Sequence, residues 1–311
     1  MSWFHYLAGL AAATATVTIE PGPPIEMTDA EIIKMQRERF ERMTVPVTIM
    51  GEGPFRFMID TGAQATVIAT QLADRLELND RSPALLVGMA SRERIETAHI
   101  PQFEIGRRTI SISTAPLVEQ RNIGGADGIL GLDSLQGQRV LIDFVNDEIS
   151  VADAAEVKAG SGYEIVVKAH HKLGQLIIAD ARIDGIRTAV IVDTGAQGSV
   201  GNLALLDRLR RGRDLGSSEM TDINGKQMTG LVREGRILEI GDMQLRNFPI
   251  LFADSPPFHA LGLADKPALV LGMTELRIFR RVAIDFDRRQ VLFDLPRSVR
   301  PDWRRSSFGM L

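Results

Sequence analysis

The chain has 311 residues, 44% of them hydrophobic and 24% charged, and its formal net charge is −4. This composition is typical of a globular protein long enough for two lobes with full cores, and it implies no strong polyelectrolyte partner. Aromatic residues make up only 5% and no basic run contains them, so no nucleic-acid partner is expected. The absence of cysteine excludes thiol catalysis, disulfides and cysteine-based zinc sites. The five histidines show no metal-ligand spacing, and the expectation is that the protein uses no metal and no other cofactor.

The first 27 residues form a leader or signal-like segment. Residues 3–17 are mostly apolar, with small residues around positions 11–15, which resembles the core and cleavage region of an export signal. No Lys or Arg precedes this run, so a plain leader or an apolar strand in a cytoplasmic protein stays open beside export to the periplasm or the exterior. The run is too short and too rich in Ala and Thr to predict a stable membrane span. Thr28 and Glu31 then form a capping-box pattern that predicts an N-terminal helix over residues 28–44.

A repeat organises the rest of the chain. Residues 57–67 (FMIDTGAQATV) match residues 190–200 (VIVDTGAQGSV), and residues 128–135 (GILGLDSL) match residues 269–276 (LVLGMTEL). Residues 140–144 (VLIDF) match residues 282–286 (VAIDF) in the same order. A repeat of this length is a duplicated lobe. The predicted division is lobe 1 at 45–153, a linker at 154–162, lobe 2 at 163–296 and a basic tail at 297–311.

Each copy is predicted to be mostly β. Turn signals at residues 51–54 and at Asp184-Gly185 separate apolar runs, and Asp-Gly favours a tight hairpin. A short helix is expected after each repeated triplet, at residues 69–78 and 202–210. Residues 143–151 and 285–295 are predicted to form hairpins that close the two lobes.

The triplets Asp60-Thr61-Gly62 and Asp193-Thr194-Gly195 are the candidate site. A single Asp-Thr-Gly is ordinary turn material, but here it follows an apolar run once in each copy. Two loops related by pseudo-two-fold symmetry can bring both carboxyl groups into one small volume, where they share a proton. The ionised group can activate a water molecule and the protonated group can polarise a carbonyl, so Asp60 and Asp193 are predicted to be catalytic.

The neighbouring residues are predicted to support the two carboxyl groups. The glycines would allow close approach of the loops, the threonines would bond across the interface, and later apolar-apolar-Gly segments would pack beneath. The supporting residues predicted in this way are Thr61, Gly62, Ala63, Thr194, Gly195, Ala196, Gly131 and Gly272.

At these residues the chain resembles the retropepsin-like and pepsin-like aspartic peptidases. Asp-Thr-Gly-Ala is similar to the retroviral form of the motif, whereas pepsin-type enzymes usually have Ser or Thr at the fourth position. The resemblance implies two retropepsin-like acid-protease lobes in one chain, as in exported bacterial aspartyl peptidases. It further implies that Asp60 and Asp193 form the catalytic pair, that the substrate is a polypeptide, and that the chain is a monomer containing an intramolecular pseudo-dimer.

Two departures from the pepsin pattern lead to further expectations. Ala63 and Ala196 have no side-chain donor for the carboxylates, which predicts a less acidic pH optimum. The flap tyrosine of pepsins is missing, and the candidate flap hairpins are residues 86–95, around Gly88, and residues 220–232, around Asn224-Gly225. The first of them equally fits an ordinary exposed hairpin.

Two alternatives to peptide hydrolysis stay open. One is a peptide-binding module of the same fold without turnover. The other places a metal on both aspartates, although the further repeated carboxylates, Asp143 and Asp285, better fit strand-end positions in the closing hairpins. The sequence leaves the roles of Gln64 and Gln197, which follow the triplets symmetrically, undecided.

Overall fold

A computed structural model describes residues 15–18, 44–155, 163–172, 175–209 and 212–295. The predicted N-terminal helix, most of the predicted linker and the basic tail lie outside these residues. So does the leader, except for strand β1 (Ala15–Thr18), which pairs in parallel with residues 243–246. No helix in the described residues is long and apolar enough to cross a membrane.

The described chain is mostly β, as predicted, and folds into two barrel-like lobes. The first lobe is built on a sheet of seven strands: β2 (Thr44–Ile49), β3 (Glu52–Ile59), β4 (Val67–Ala69), β5 (Arg81–Val87), β6 (Arg92–Ile105), β7 (Arg108–Val118) and β8 (Gly128–Leu130). Its helices are α1 (Thr70–Arg75), α2 (Leu132–Leu135) and a 3-10 turn (Gln120–Ile123).

The second lobe repeats this plan. Its strands are β12 (His170–Lys172), β13 (Gln175–Ile183), β14 (Ile186–Val192), β15 (Val200–Gly201), β16 (Asp214–Thr221), β17 (Gln227–Ile240), β18 (Met243–Phe252) and β19 (Ala268–Leu271). Its helices are α3 (Leu203–Leu206), α4 (Pro256–Ala260) and α5 (Met273–Leu276). The helix predicted over 202–210 is regular only over Leu203–Leu206, although turn bonds continue to Leu209. Asn202 caps its start by accepting from the amide of Leu205.

A separate five-stranded sheet joins the lobes. It consists of β9 (Gln138–Asp143), β10 (Glu148–Asp153), β11 (Ile165–Lys168), β20 (Arg281–Asp285) and β21 (Gln290–Asp294). The two closing hairpins are the pairs β9–β10 and β20–β21, and they begin at Gln138 and Arg281, earlier than the predicted starts at 143 and 285. Strand β9 pairs antiparallel with β20 across the lobe boundary. Buried Val140, Ile142, Val282 and Ile284 lie on these two strands, so the joint between the lobes is part of the apolar core.

Turn chemistry explains where the hairpins bend. Asp184 and Gly185 have φ of 50° and 81°, the left-handed pair that a tight two-residue hairpin between twisted strands requires. The turn predicted at residues 51–54 lies instead at Met50 and Gly51, with φ of 50° and 81°. Strand β3 therefore begins at Glu52, because the left-handed pair closes the hairpin three residues before the end of the predicted turn.

Candidate active site

Both candidate aspartates follow a strand whose last residue is buried, in the same topological setting. Strand β3 pairs in parallel with β8, and the amide of Asp60 donates to the carbonyl of Leu130 at 3.1 Å. Strand β14 pairs in parallel with β19, and the amide of Asp193 donates to the carbonyl of Leu271 at 3.0 Å. The repeat therefore extends to single hydrogen bonds, and it delivers each carboxyl group at the edge where its sheet meets the other lobe.

The two threonines lock the loops together. Thr61 Oγ1 donates to the carbonyl of Val192 at 2.8 Å, and Thr194 Oγ1 donates to the carbonyl of Ile59 at 2.7 Å. Each hydroxyl oxygen also accepts from the opposite threonine amide, at 3.2 and 3.1 Å respectively. All four bonds are buried, so the expected cross-lobe bonding is present and fixes the spacing of the two aspartates.

Backbone amides hold one oxygen of each carboxyl group. Asp60 Oδ1 accepts from the amides of Gly62 at 2.8 Å and Ala63 at 2.9 Å. Asp193 Oδ1 accepts from Gly195 at 2.8 Å and Ala196 at 3.2 Å. The fourth-position alanines, which lack a side-chain donor, thus contribute through their backbone.

The glycines let the carboxyl groups face each other across the lobe boundary. A Cβ atom on Gly62 would overlap with the Asp193 carboxyl, and one on Gly195 would overlap with the Asp60 carboxyl. Only glycine leaves this space open. The structure therefore brings the two predicted aspartates together, close enough for the charge of Asp60 to act on Asp193.

Burial dominates the electrostatics of the dyad. Removal from water raises the pKa of Asp60, although the amides of Gly62 and Ala63 and the bond from Asp193 oppose the rise. The pKa of Asp193 is raised further, first by burial and then by the charge of Asp60. Asp193 is 8% exposed whereas Asp60 is half-buried. The pair as a whole therefore keeps a proton to higher pH than an ordinary carboxyl group would.

The two later glycines pack against the loops that follow the triplets. A Cβ on Gly131 would overlap with the backbone of Ala65, and one on Gly272 would come within 2.5 Å of the Gly198 carbonyl. The next amides hold the same loops, since Leu132 donates to Ala63 and Met273 donates to Ala196, each at 2.8 Å. Gln64 and Gln197 lie on these loops with exposed side chains.

Beneath the dyad the lobes differ. In the first lobe Thr66 Oγ1 donates to Asp133 Oδ1 at 2.6 Å and lies 3.0 Å from Ser134 Oγ. In the second lobe Ser199 Oγ donates to Glu275 Oε2 at 2.5 Å. Glu275 is buried, which raises its pKa, and its Oε1 makes no hydrogen bond with the described residues.

The two candidate flap hairpins contact each other at their tips. The turn between β16 and β17 carries Asp222, whose Oδ2 accepts from Ser91 Oγ at 2.7 Å and from the amide of Ala90 at 3.2 Å. Asn224 Nδ2 donates to Ser91 Oγ at 2.8 Å. The other oxygen of Asp222 closes its own turn through the amides of Asn224 and Lys226, both at 3.0 Å. The carboxylate therefore belongs to both hairpins.

The first hairpin also reaches the second lobe. Ser255, fully buried, donates to the carbonyl of Met89 at 2.6 Å. The Met89 side chain packs on an apolar cluster of the second lobe, to which Ala196 also contributes. The tip of the first hairpin is therefore packed against the second lobe, which an ordinary exposed hairpin would not be.

Three polar residues at the site were missed at the sequence level. They are Asp222, Glu275 and Gln175, whose Nε2 donates to the carbonyl of Gly62 at 2.6 Å. None of them has a chemically similar counterpart at the matching repeat position, so the repeat could not indicate them. Asp222 alone carried a signal, because it precedes the Asn224-Gly225 turn.

The repeated carboxylates away from the triplets have structural partners. Asp285 is buried and forms an ion pair with Arg288 at 2.8 Å, and Asp143 Oδ1 accepts from the amide of Val145 at 2.9 Å. Within the described ranges no group of three or more His, Cys, Asp or Glu side chains could hold a metal ion. Asp143 and Asp285 each end a strand of the closing hairpins, at the strand-end positions predicted for them.

Comparison with known families assigns each lobe separately. Residues 45–137 match the family described as "gag-polyprotein putative aspartyl protease", and residues 179–274 match the family described as "Aspartyl protease". A search of curated proteins found no significant match. Each matched segment contains one Asp-Thr-Gly triplet. Each lobe therefore contains an aspartyl protease domain, consistent with a retropepsin-like single-chain aspartic protease.

Proposed function

We propose that this protein is an aspartic endopeptidase that hydrolyses peptide bonds in a polypeptide substrate with Asp60 and Asp193 as its catalytic pair. The observation that carries the proposal is the paired site itself: two carboxyl groups that face each other across the lobe boundary, each held by two amides, on loops locked together by the threonines. The family match supports the same chemistry.

The environment of the two groups suggests their roles. Asp60 ionises first and takes a proton from a water molecule placed between the carboxyl groups. Asp193 keeps its proton, polarises the scissile carbonyl and then donates to the leaving amine. Because the pKa of both groups lies above the ordinary value, hydrolysis requires a pH at which one is ionised and the other protonated. This window extends to less acidic pH than in an enzyme whose carboxylates have side-chain donors.

The two hairpins act in this proposal as flaps. Their tips are bonded to each other through Asp222 and Ser91, so a polypeptide enters only when the tips part. Export, expected from the leader, is a separate proposal that N-terminal sequencing of the native protein tests.

The test is hydrolysis of a mixed peptide library by the purified chain and by Asp60→Asn and Asp193→Asn, with pepstatin as inhibitor control. Each substitution keeps the shape and removes the proton chemistry, so we expect a loss of kcat/KM of about 10⁴-fold. Cleavage that survives both single changes contradicts the dyad mechanism. A folded wild-type chain that binds peptides and never cleaves them supports the second candidate, a silent peptide-binding module.

A further inference from the structure

We propose that Gln175 is a positioning residue that makes the two aspartates unequal, by bonding to the peptide group that serves Asp60. The proposal rests on the proposed function, because it assigns the base and the acid of that reaction. Gln175 begins β13 in the second lobe, yet its side chain reaches the triplet loop of the first lobe.

The contact is buried and specific. Gln175 is 5% exposed, and its Nε2 donates to the carbonyl of Gly62 at 2.6 Å. That carbonyl belongs to the peptide group between Gly62 and Ala63. The N–H of the same peptide group donates to Asp60 Oδ1 at 2.9 Å. Gln175, the peptide group and the Asp60 carboxylate therefore form a chain of three groups joined by two hydrogen bonds.

Hydrogen bonds in such a chain strengthen one another. A donor on the Gly62 carbonyl pulls electron density toward its oxygen, which leaves the peptide N–H more positive and improves its bond to a carboxylate. The bond stabilises the ionised form of Asp60 over the protonated form. Gln175 thus favours ionisation of Asp60 without touching the carboxyl group.

The other aspartate lacks this support. The corresponding bond, from the amide of Ala196 to Asp193 Oδ1, is longer at 3.2 Å. No side chain in the part of the chain that the structure describes donates to the carbonyl of Gly195. The triplets are identical in sequence, so the asymmetry comes from outside them.

The state of the Gln175 amide fits this role. Its Oε1 is buried and has no hydrogen-bond partner among the described residues, which is unfavourable for a polar group. An apolar side chain of similar length would avoid that penalty but would lose the donor to Gly62. The donor atom is thus the part of Gln175 that the site uses.

Asp193 is the titratable group that acts on Asp60 within the described residues, and the other groups acting on it are the amides of Gly62 and Ala63. A change at Gln175 should therefore appear in the titration of Asp60 itself. Gln175→Met keeps the length and removes the donor. Gln138→Met is the matched control, because Gln138 is equally buried in the inter-lobe sheet and contacts neither triplet.

The experiment measures the pKa of Asp60 by carboxyl ¹³C NMR, with the signal assigned through Asp60→Asn, and the acid limb of kcat/KM against pH. We expect both to rise by about 0.2–0.6 pH units in Gln175→Met and to stay unchanged in Gln138→Met. If Gln175→Met fails to fold, Gln175→Asn, whose amide is too short for the contact, should give the same shift.

The outcomes separate the two proposals. An unchanged Asp60 titration in a folded Gln175 variant overturns the positioning role, whatever the activity. A folded wild-type chain that hydrolyses no peptide contradicts the proposed function. The NMR titration still decides in that case whether Gln175 acts on Asp60. An equal shift in Gln138→Met would also contradict the proposal, because it would show a general effect of losing a buried amide.

Discussion

The floor of the site, which is formed by the two Asp-Thr-Gly loops, is symmetric, whereas the contacts between the hairpin tips are not. The floor is made twice from the same contacts, with the two threonine bonds differing by only 0.1 Å, 2.8 against 2.7 Å. The tips are joined by contacts that are not repeated in this way: Asp222 accepts from Ser91 and from the amide of Ala90. Asn224 also donates to Ser91, and Lys226 pairs with Glu93 at 3.4 Å. Chemistry between two carboxyl groups requires equivalent positions, whereas holding two hairpins together does not.

The side chains that bond the loops beneath this floor are asymmetric, like the contacts between the hairpin tips. Thr66 and Ser199 occupy matching positions, but one bonds Asp133 and the other bonds buried Glu275. With Gln175, these residues give two geometrically equivalent aspartates different surroundings. Symmetry therefore sets where the carboxyl groups lie, and the proposed role of Gln175 adds an asymmetry that favours ionisation of Asp60.

The two Asp-Thr-Gly loops should respond most similarly to substitution of their glycines. Gly62→Ala and Gly195→Ala each push a methyl group into the opposite carboxyl, so we expect both to lower kcat/KM by at least about 100-fold. Gly198→Ala is the control, because a Cβ there meets no atom within 4 Å and we expect near wild-type activity. A large loss in only one of the two triplet variants would break the symmetry of the floor.

The threonine lock should also respond equally from either side. Thr61→Val and Thr194→Val each remove a hydroxyl that donates to a buried carbonyl and accepts from a buried amide. We expect each to lower the free energy of unfolding by about 2–5 kcal/mol in denaturant titrations. The serine variants keep the hydroxyl and should lose much less. Clearly unequal losses for the two valine variants would argue against an equivalent lock.

The hairpin tips should respond unequally. Asp222→Ala removes the acceptor for Ser91 and Ala90, and we expect hydrogen exchange at the Ala90 amide to accelerate about tenfold or more. Asp214→Ala removes a carboxylate that closes a turn within strand β16, and it should leave hydrogen exchange at the Ala90 amide unchanged. Asn122, the first-lobe side chain against Gly225, makes no side-chain hydrogen bond with the described residues, and Asn122→Ala should also have little effect. Equal acceleration by all three variants would refute the one-sided joint.

The smallest effect, on thermal stability, is expected at Glu275 beneath the second triplet, and it should depend on pH. Burial raises the folded-state pKa of Glu275, so its contribution to stability is full below the unfolded value and is lost as pH rises through the folded value. Glu275→Gln removes that loss, and we expect its melting temperature to exceed wild type by about 2–4 °C at pH 7 and by less at pH 4. Ser134→Ala, at the matching position of the first lobe, should show the same difference at both pH values. A pH-independent gain in Glu275→Gln would contradict the assigned cause.

Much of the fold was predictable because it is local and repeated. Alternating apolar runs and the Asp184-Gly185 turn predicted hairpins that the structure contains. The exceptions are local as well: the first turn closes at Met50-Gly51, and the predicted 202–210 helix is reduced to one turn. At the first turn a single backbone conformation, the left-handed Met50-Gly51 pair, decided a boundary that residue preferences only approximate.

The sequence by itself determined the duplicated lobe, the mostly β fold and the two Asp-Thr-Gly triplets, because each depends on a pattern within one short segment or on a match between two. Only the tertiary structure decided that Asp222 joins the hairpin tips, that Glu275 is buried beneath one triplet, and that Gln175 reaches the carbonyl of Gly62. Each of these depends on contacts between residues far apart in the chain, without a counterpart in the other lobe. A repeat reveals what two lobes share, and these contacts are where they differ.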